Sequence, residues 1–433
     1  MDGVTLRVLI VAEHASAKFG GEAALPLHYY RVLRQRGIPA WLVVHERTRR
    51  ELEALFPLDG DRISFVSDTA WQRLMVRCGR ILPARLSTFS TGFAIRFITQ
   101  LAQRQVIRRL VRDKRISVIH QPMPVSPKEP SMIYGLGAPV VIGPMDGGMD
   151  YPPAFRHMQR PLERLAIAAG RRLANLMNRV MPGKREAAML LVANERTREA
   201  LPRGVCSRVA TLVENGVDLA IWKSGSSVAN GKSSAATRFA FVGRLVDWKA
   251  VDLLLLAFRR AAGRAPMSLS IIGDGVERAG LERLARKLGL LASEAGAQPG
   301  KALFLGWMSQ ADCAAQLRQS DALVLPSLLE CGGAVVLEAM AMELPVIATA
   351  WGGPADYLDA SCGVLVEPAS REAFIDNMAA ALTILAESPQ QRIAMGKAGR
   401  AKVEKHFDWE IKVDRILEIY RIVMAGHPSG SGE

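Results

Sequence analysis

Paired cysteines, a membrane-length apolar run and a cluster of metal ligands are all missing from this 433-residue sequence. Cys78, Cys206, Cys313, Cys331 and Cys362 stand singly, with no C-x-x-C and no Cys/His grouping. That pattern excludes a disulfide framework and a zinc site, and predicts reduced thiols in a cytosolic protein. No uncharged apolar run reaches the ~18–20 residues that span a bilayer. Met1 to Thr5 place no basic stretch ahead of the first apolar run, so a secretory leader is not expected. Acidic residues are also in short supply. Lys and Arg number 56 against 42 Asp and Glu, a net charge of +14.

The deficit of acids is local. From Arg73 to Arg115 the cations meet one acid, Asp113, and from Arg156 to Arg185 they meet one more, Glu163. A positive field of this kind favours nucleic acid, an anionic membrane surface or a phosphorylated substrate as partner. No RNA- or DNA-binding motif accompanies it, so nucleic acid is not the expected partner. Apolar residues are interleaved with the cations between Trp71 and Ile98. Leu162, Leu165, Ala169, Leu173, Leu176 and Val180 form a helical stripe beside the second basic stretch. Both segments suit either an anionic bilayer surface or ordinary inward packing with solvated arginines.

Leu6–Ala12 is a continuous apolar run, the mark of a strand buried on both faces of a parallel sheet. A helical stretch from Glu22 to Arg36 follows, stopped by Gly37. Further strands are predicted at Ala40–Val44, Ile63–Val66, Ile116–His120, Pro139–Ile142 and Met189–Val192. Ser224–Thr237 is rich in Ser, Gly and Ala without apolar periodicity and predicts a linker. Its glycines are one residue too far apart for a P-loop. Alternation then restarts, with strands at Phe239–Val242, Leu269–Ile272, Leu303–Leu305, Ala322–Leu325, Val346–Ala348 and Val364–Val366. Helices fit Val251–Ala262, Val276–Leu288, Gln310–Gln319, Ala334–Met342 and Arg371–Glu387. Trp409–Met424 closes the chain as an amphipathic helix. The fold class is therefore α/β: two Rossmann-like, doubly wound parallel sheets in series, facing across a cleft. The expected domains are an acceptor domain over 1–218, a linker over 219–237, a donor domain over 238–407 and a C-terminal helix over 408–433 crossing back to the first domain.

The richest chemistry lies in Pro326 to Met340. Glu330 sits in the loop after a predicted strand, Gly332 and Gly333 form the turn, and Glu338 lies eight residues on, in the following helix. Glycines let backbone N–H groups approach a ligand, and a helix N-terminus favours negative charge. A carboxylate accepts hydrogen bonds from vicinal hydroxyls, as on a ribose or hexose. Phosphate held between two sugars describes a nucleotide sugar. Arg244 and Lys249, between a strand and a helix, are two cations able to neutralise a diphosphate leaving group. Asp59-Gly60-Asp61 spells a D-x-D metal motif, but Asp-Gly is a common turn pair and is read as a turn.

This stretch, together with Trp351-Gly352-Gly353-Pro354, resembles the donor signature of retaining family 4 glycosyltransferases of GT-B fold. The resemblance extends to Val242–Lys249, Ile271–Gly275, Phe304–Trp307, Asn215–Asp218 and, more loosely, Phe19–Glu22. It implies a metal-independent, retaining hexosyltransferase that needs no cofactor beyond its co-substrate, a nucleotide diphosphate sugar. In it Arg244 and Lys249 would contact the donor diphosphate, Glu330 hydroxyls of the transferred hexose, and Glu338 the ribose. Gly20 and Gly21 would close over the phosphates, and Gly243, Gly306, Gly332, Gly333, Ala334 and Val335 would line the substrate. Many family members carry a histidine in the loop after Pro139–Ile142. Here the loop reads Gly143-Pro144-Met145-Asp146-Gly147-Gly148. Asp146 is either a sugar or acceptor contact or a turn aspartate, and His120 either a substitute for that histidine or a structural residue capping its strand. A polyprenyl-diphosphate-linked glycan would be the acceptor, in surface-polysaccharide assembly on the inner face of the plasma membrane. A GT-B epimerase, and a basic nucleic-acid- or membrane-binding protein without catalysis, are the alternatives.

Overall fold

The computed structural model describes residues 5–18, 21–68, 84–159, 161–224, 236–292 and 298–426. Expectations for Gly20, and for the basic stretch over 69–83, lie outside them. The chain divides into two compact units. The first comprises Met1–Gly148, Leu162–Asn215 and Trp409–Glu433, and the second Met149–Pro161 and Gly216–Asp408. Met149–Pro161, which the sequence assigns to the N-terminal domain, thus belongs to the second unit. The Trp351 indole N–H donates to the Asp150 carbonyl at 2.9 Å, and Phe155 packs edge-on against Phe374.

Seven parallel strands build the first sheet: β1 Val8–Val11, β2 Ala40–His45, β3 Ile63–Val66, β4 Val118–Gln121, β5 Val140–Met145, β6 Met189–Val192 and β7 Val209–Thr211. Their order is β3-β2-β1-β4-β5-β6-β7. Side chains alternate across the sheet, as a two-residue period demands. Val8 and Ile10 face a core shared with helices Gly21–Gln35 and Trp409–Ala425, through Tyr29, Leu33, Val413, Ile416 and Tyr420. Leu9 and Val11 face the other core, with Ile107 and Val111 of helix Ala84–Lys114. Strand β7 is absent from the sequence prediction, because Val-Ala-Thr is too short to show a period and its residues are only partly covered.

Six parallel strands build the second sheet: β8 Thr237–Val242, β9 Met267–Ile272, β10 Ala302–Gly306, β11 Ala322–Leu325, β12 Val346–Thr349 and β13 Gly363–Val366. The order is β10-β9-β8-β11-β12-β13. The direction of winding reverses between β8 and β11, so the loops leaving their carboxyl ends border the crevice where ligands of such sheets bind. Strand β8 starts at Thr237, within the stretch assigned to the linker. Helix Pro389–His406 is a second element the sequence does not announce. Its glycines Gly396 and Gly399 look like breakers, yet a Cβ on Gly396 would lie 2.0 Å from the Glu343 carbonyl oxygen, so glycine is what lets this helix pack.

Asp59 is buried in the first unit. It accepts from the Tyr30 hydroxyl at 2.8 Å and from Arg34 Nη2 at 2.7 Å, both on helix Gly21–Gln35. Its carbonyl accepts from the N–H of Arg62, closing the turn before β3. The Arg34 guanidinium holds the Asp59 carboxyl below its ordinary range. Arg34→Ala leaves this carboxylate with one partner and should cost about 1–2 kcal/mol, since Arg34 itself is partly solvated. A folded value below the ordinary ~3.9 makes the stabilisation complete above that pH and lost as pH falls through the depressed value. Urea denaturation of the native chain and the variant should therefore differ at pH 7 and converge in acid. A constant difference at both would argue against this clamp.

Candidate active site

In the second unit the loops after β8, β9 and β10 are joined through their backbones. The N–H of Gly243 donates to the Ile272 carbonyl at 3.0 Å, and that of Gly273 to the Gly306 carbonyl at 2.8 Å. Leu245 donates to the Asp274 carbonyl at 2.9 Å. Gly273 has φ +134°, and a Cβ there would lie 1.9 Å from the Gly243 oxygen. No other residue fits. This edge of the sheet is a floor of peptide groups.

Across the reversal point, the Leu328 N–H donates to the Trp248 carbonyl at 2.8 Å, drawing the β11 loop onto the β8 loop. That contact brings Lys249 and Glu330 together as an ion pair, each side chain largely covered. The backbone of Glu330 is pinned from behind. Its carbonyl accepts from the Gly353 N–H at 2.8 Å, and a Cβ on Gly353 would sit 2.1 Å from the Cys331 carbonyl oxygen. Gly352, at φ +71°, stands as close to the Glu330 carbonyl. Gly333 takes a left-handed conformation and opens helix Ala334–Ala341 without a side-chain cap. The first N–H groups of an uncapped helix are ready donors for an anion. Glu338 lies one turn along that helix, and burial alone pushes its carboxyl up to about 7. Burial, and next the charge of Glu338, push the neighbouring Cys313 thiol up to about 11.

Arg244 follows β8 directly. Its guanidinium is exposed and has no ion-pair partner among the described residues. Gly243 lies 3.8 Å, measured from an added Cβ, from Lys249 Cε, and Gly306 ends β10 with φ +76° beside Arg278. The geometry therefore gathers Gly243, Lys249, Glu330, Gly332, Gly333 and the start of the Ala334 helix in one unit, with Glu338 on that same helix. What it can do is hold an anion against N–H groups and cations while offering carboxylates to hydroxyls.

The first unit holds the other candidates. Gly21 opens helix Gly21–Gln35, and a Cβ there would meet nothing within 4 Å among the described residues. His120, for which the sequence leaves two roles open, is fully buried. Its Nε2–H donates to the Gly143 carbonyl at 2.6 Å and its Nδ1 accepts from the Tyr420 hydroxyl at 2.7 Å. Burial lowers its pKa to about 4, so the ring is neutral with both nitrogens engaged. This is the setting of a structural histidine.

Asp146 is buried as well, within reach of the Thr197 hydroxyl at 3.2 Å and Asn194 Nδ2 at 3.3 Å. Its carboxyl lies against that of Glu214, and Arg196 Nη2 stands 3.7 Å from its Oδ1. Two charged neighbours in this unit escape the sequence reading. Glu214 is raised by burial and then by the charge of Asp146, while burial lowers Lys412, which donates to the Val213 carbonyl. A lysine on the apolar face of Trp409, Val413, Ile416 and Tyr420 was the available signal.

Residues 226–402 match the family described as Glycosyl transferases group 1. A D-inositol 3-phosphate glycosyltransferase of Segniliparus rotundus is 31% identical over 227 residues, 50% of this chain and 47% of that protein. A GDP-mannose-dependent monoacylated alpha-(1-6)-phosphatidylinositol monomannoside mannosyltransferase of Corynebacterium glutamicum is 32% identical over 205 residues, 46% of this chain and 50% of that one. The chain thus spans about half the length of these curated relatives. Among solved structures, sucrose-phosphate synthase from Thermosynechococcus elongatus superposes with a TM-score of 0.64 at 17% identity, over 98% of this chain and 100% of that one. Two parallel-sheet units, with these motifs at the reversal point of the second, are the GT-B fold, and residues 226–402 belong to the group 1 glycosyltransferases, family 4.

Proposed function

We propose that this chain is a retaining, metal-independent hexosyltransferase using a nucleoside diphosphate sugar. The observation that carries the reading is the Lys249–Glu330 pair, held at the reversal point beside an uncapped helix that bears Glu338. The donor diphosphate lies against the N–H groups of Ala334 and Val335, with Arg244 and Lys249 matching its charge. Glu330 accepts from hydroxyls of the hexose and Glu338 from the ribose. Lys249 and Glu330 exchange their mutual contact for one ligand group each, so neither charge is left buried and unpaired. The bond from the anomeric carbon to the diphosphate oxygen breaks, and its electron pair leaves with the nucleoside diphosphate. A departing oxygen takes the proton of the acceptor hydroxyl, whose oxygen bonds to the anomeric carbon on the same face. Configuration is retained.

Asp146, in the loop that ends β5, is the candidate contact to the sugar or the acceptor in the first unit. For the acceptor, a polyprenyl-diphosphate-linked glycan met at the inner face of the plasma membrane, in surface-polysaccharide assembly, suits the net charge of +14. The Corynebacterium glutamicum relative, named for a phosphatidylinositol mannoside, supports a lipid-borne acceptor.

Glu330→Gln should lower turnover at least ~100-fold while shifting nucleoside diphosphate affinity less than ~3-fold, because the hexose contact matters chiefly at the transition state. Thermal-shift screening with UDP-, GDP- and ADP-sugars identifies the donor on which to measure this. Equal losses in turnover and affinity would reject the assignment of Glu330, and donor hydrolysis or isomerisation that ignores the acceptor would reject transfer. A second expectation concerns pH. A diphosphate diester does not titrate near neutrality, and ribose hydroxyls donate best to an ionised carboxylate. Sugar-nucleotide affinity should therefore rise between pH 6 and 8 as Glu338, with its value of about 7, loses its proton. Calorimetry on Glu338→Gln should give a flat, weaker profile; an unchanged slope would remove Glu338 from the ribose site.

A further inference from the structure

One helix of the first unit is apolar on its exposed face. Pro161–Val180 turns asparagines toward the body of the unit. The amide of buried Asn178 donates to the Lys128 carbonyl at 2.8 Å, and Asn175 Oδ1 accepts from Lys128 Nζ at 3.3 Å. The opposite face carries Leu165, Leu173, Leu176 and Val180, with relative exposures of 67%, 57%, 55% and 74%. At 100° per residue these four, with exposed Ala169 between them, fall on one narrow stripe. A helix face left to water is ordinarily polar. Apolar side chains this exposed are ordinary when scattered, but a continuous row of them marks a surface that something covers.

The charge around the stripe says what covers it. Arg172 and Arg179 are exposed along its edge, and Glu163 is the one acid in the helix sequence. A second copy seated on the same stripe would set Arg172 and Arg179 against their own images. An anionic lipid surface would take the leucines among its acyl chains and the arginines among its head groups. No helix of the described residues is long and apolar enough to cross a membrane, so the contact is one of lying on the surface.

We propose that helix Pro161–Val180 docks this chain flat onto an anionic bilayer through Leu165, Leu173, Leu176 and Val180, with Arg172 and Arg179 gripping the phosphates. The stretch over 84–115 is the weaker claimant, because two of its cations turn inward. Arg96 pairs with Glu129, and Arg104 donates to the Tyr134 carbonyl. The docking deepens the lipid-linked acceptor reading and rests on it only for its purpose. Vesicle binding needs neither sugar nucleotide nor acceptor, so its failure would leave glycosyl transfer standing.

The test is co-sedimentation of the full chain with vesicles of equal parts phosphatidylcholine and phosphatidylglycerol, against pure phosphatidylcholine. Strong binding to the mixed vesicles, weakened by high salt, is expected. Leu173→Ser with Leu176→Ser, and separately Arg172→Glu with Arg179→Glu, should each lower the bound fraction at least ~10-fold. All four side chains are exposed, and an unchanged melting temperature verifies that each variant folds. Equal binding to both vesicle types would overturn the proposal, as would no loss in either variant. So would a native dimer, seen by sedimentation equilibrium, that dissociates with the serine pair.

Discussion

The contact between Lys249 and Glu330 is the constraint on which the second unit is organised. Opposite charges taken out of water are tolerated only where geometry is good and the surrounding groups are satisfied. Here the geometry is set by backbone, not by side-chain packing. The Trp248 carbonyl holds the β11 loop, the Gly353 N–H holds the Glu330 carbonyl, and glycines at 273, 352 and 353 permit approaches that any Cβ would block. Such a site loses little entropy when a ligand arrives, because the parts that meet it are already in place.

Much of this was readable in the residues. Strands β8 to β13 follow from short apolar runs, since strands buried on both faces need nothing but apolar side chains. The site of the second unit was readable because its members are loop residues at strand ends, close in sequence to the strands that carry them. What escaped was direction. His120 ends a strand next to the expected crevice, yet it turns into the core to meet Tyr420, which is 300 residues away in sequence. Arg96 and Arg104 add to a basic stretch but spend their charge inside the unit. Composition counts charges; only a fold says which way they point.

The two units use buried charge differently. In the second, Glu338 sits largely covered on a helix beside groups suited to a ligand, and its carboxyl is pushed upward by burial alone. In the first, Asp146, Glu214 and Lys412 gather under the end of the sheet, where desolvation moves an acid and a base toward each other and so toward neutrality. The first arrangement suits recognition. The second suits a core that must accommodate polar groups without leaving them unpaired.

Helix Trp409–Ala425 supplies Trp409, Val413, Ile416, Leu417 and Tyr420 to the core of a unit whose sheet begins at Val8. During synthesis that face of the sheet has only helix Gly21–Gln35 as cover until the whole second unit has left the ribosome. A unit whose sheet precedes the second unit is thus completed after it, and the nascent chain must keep a half-covered apolar sheet from foreign contacts in the interval.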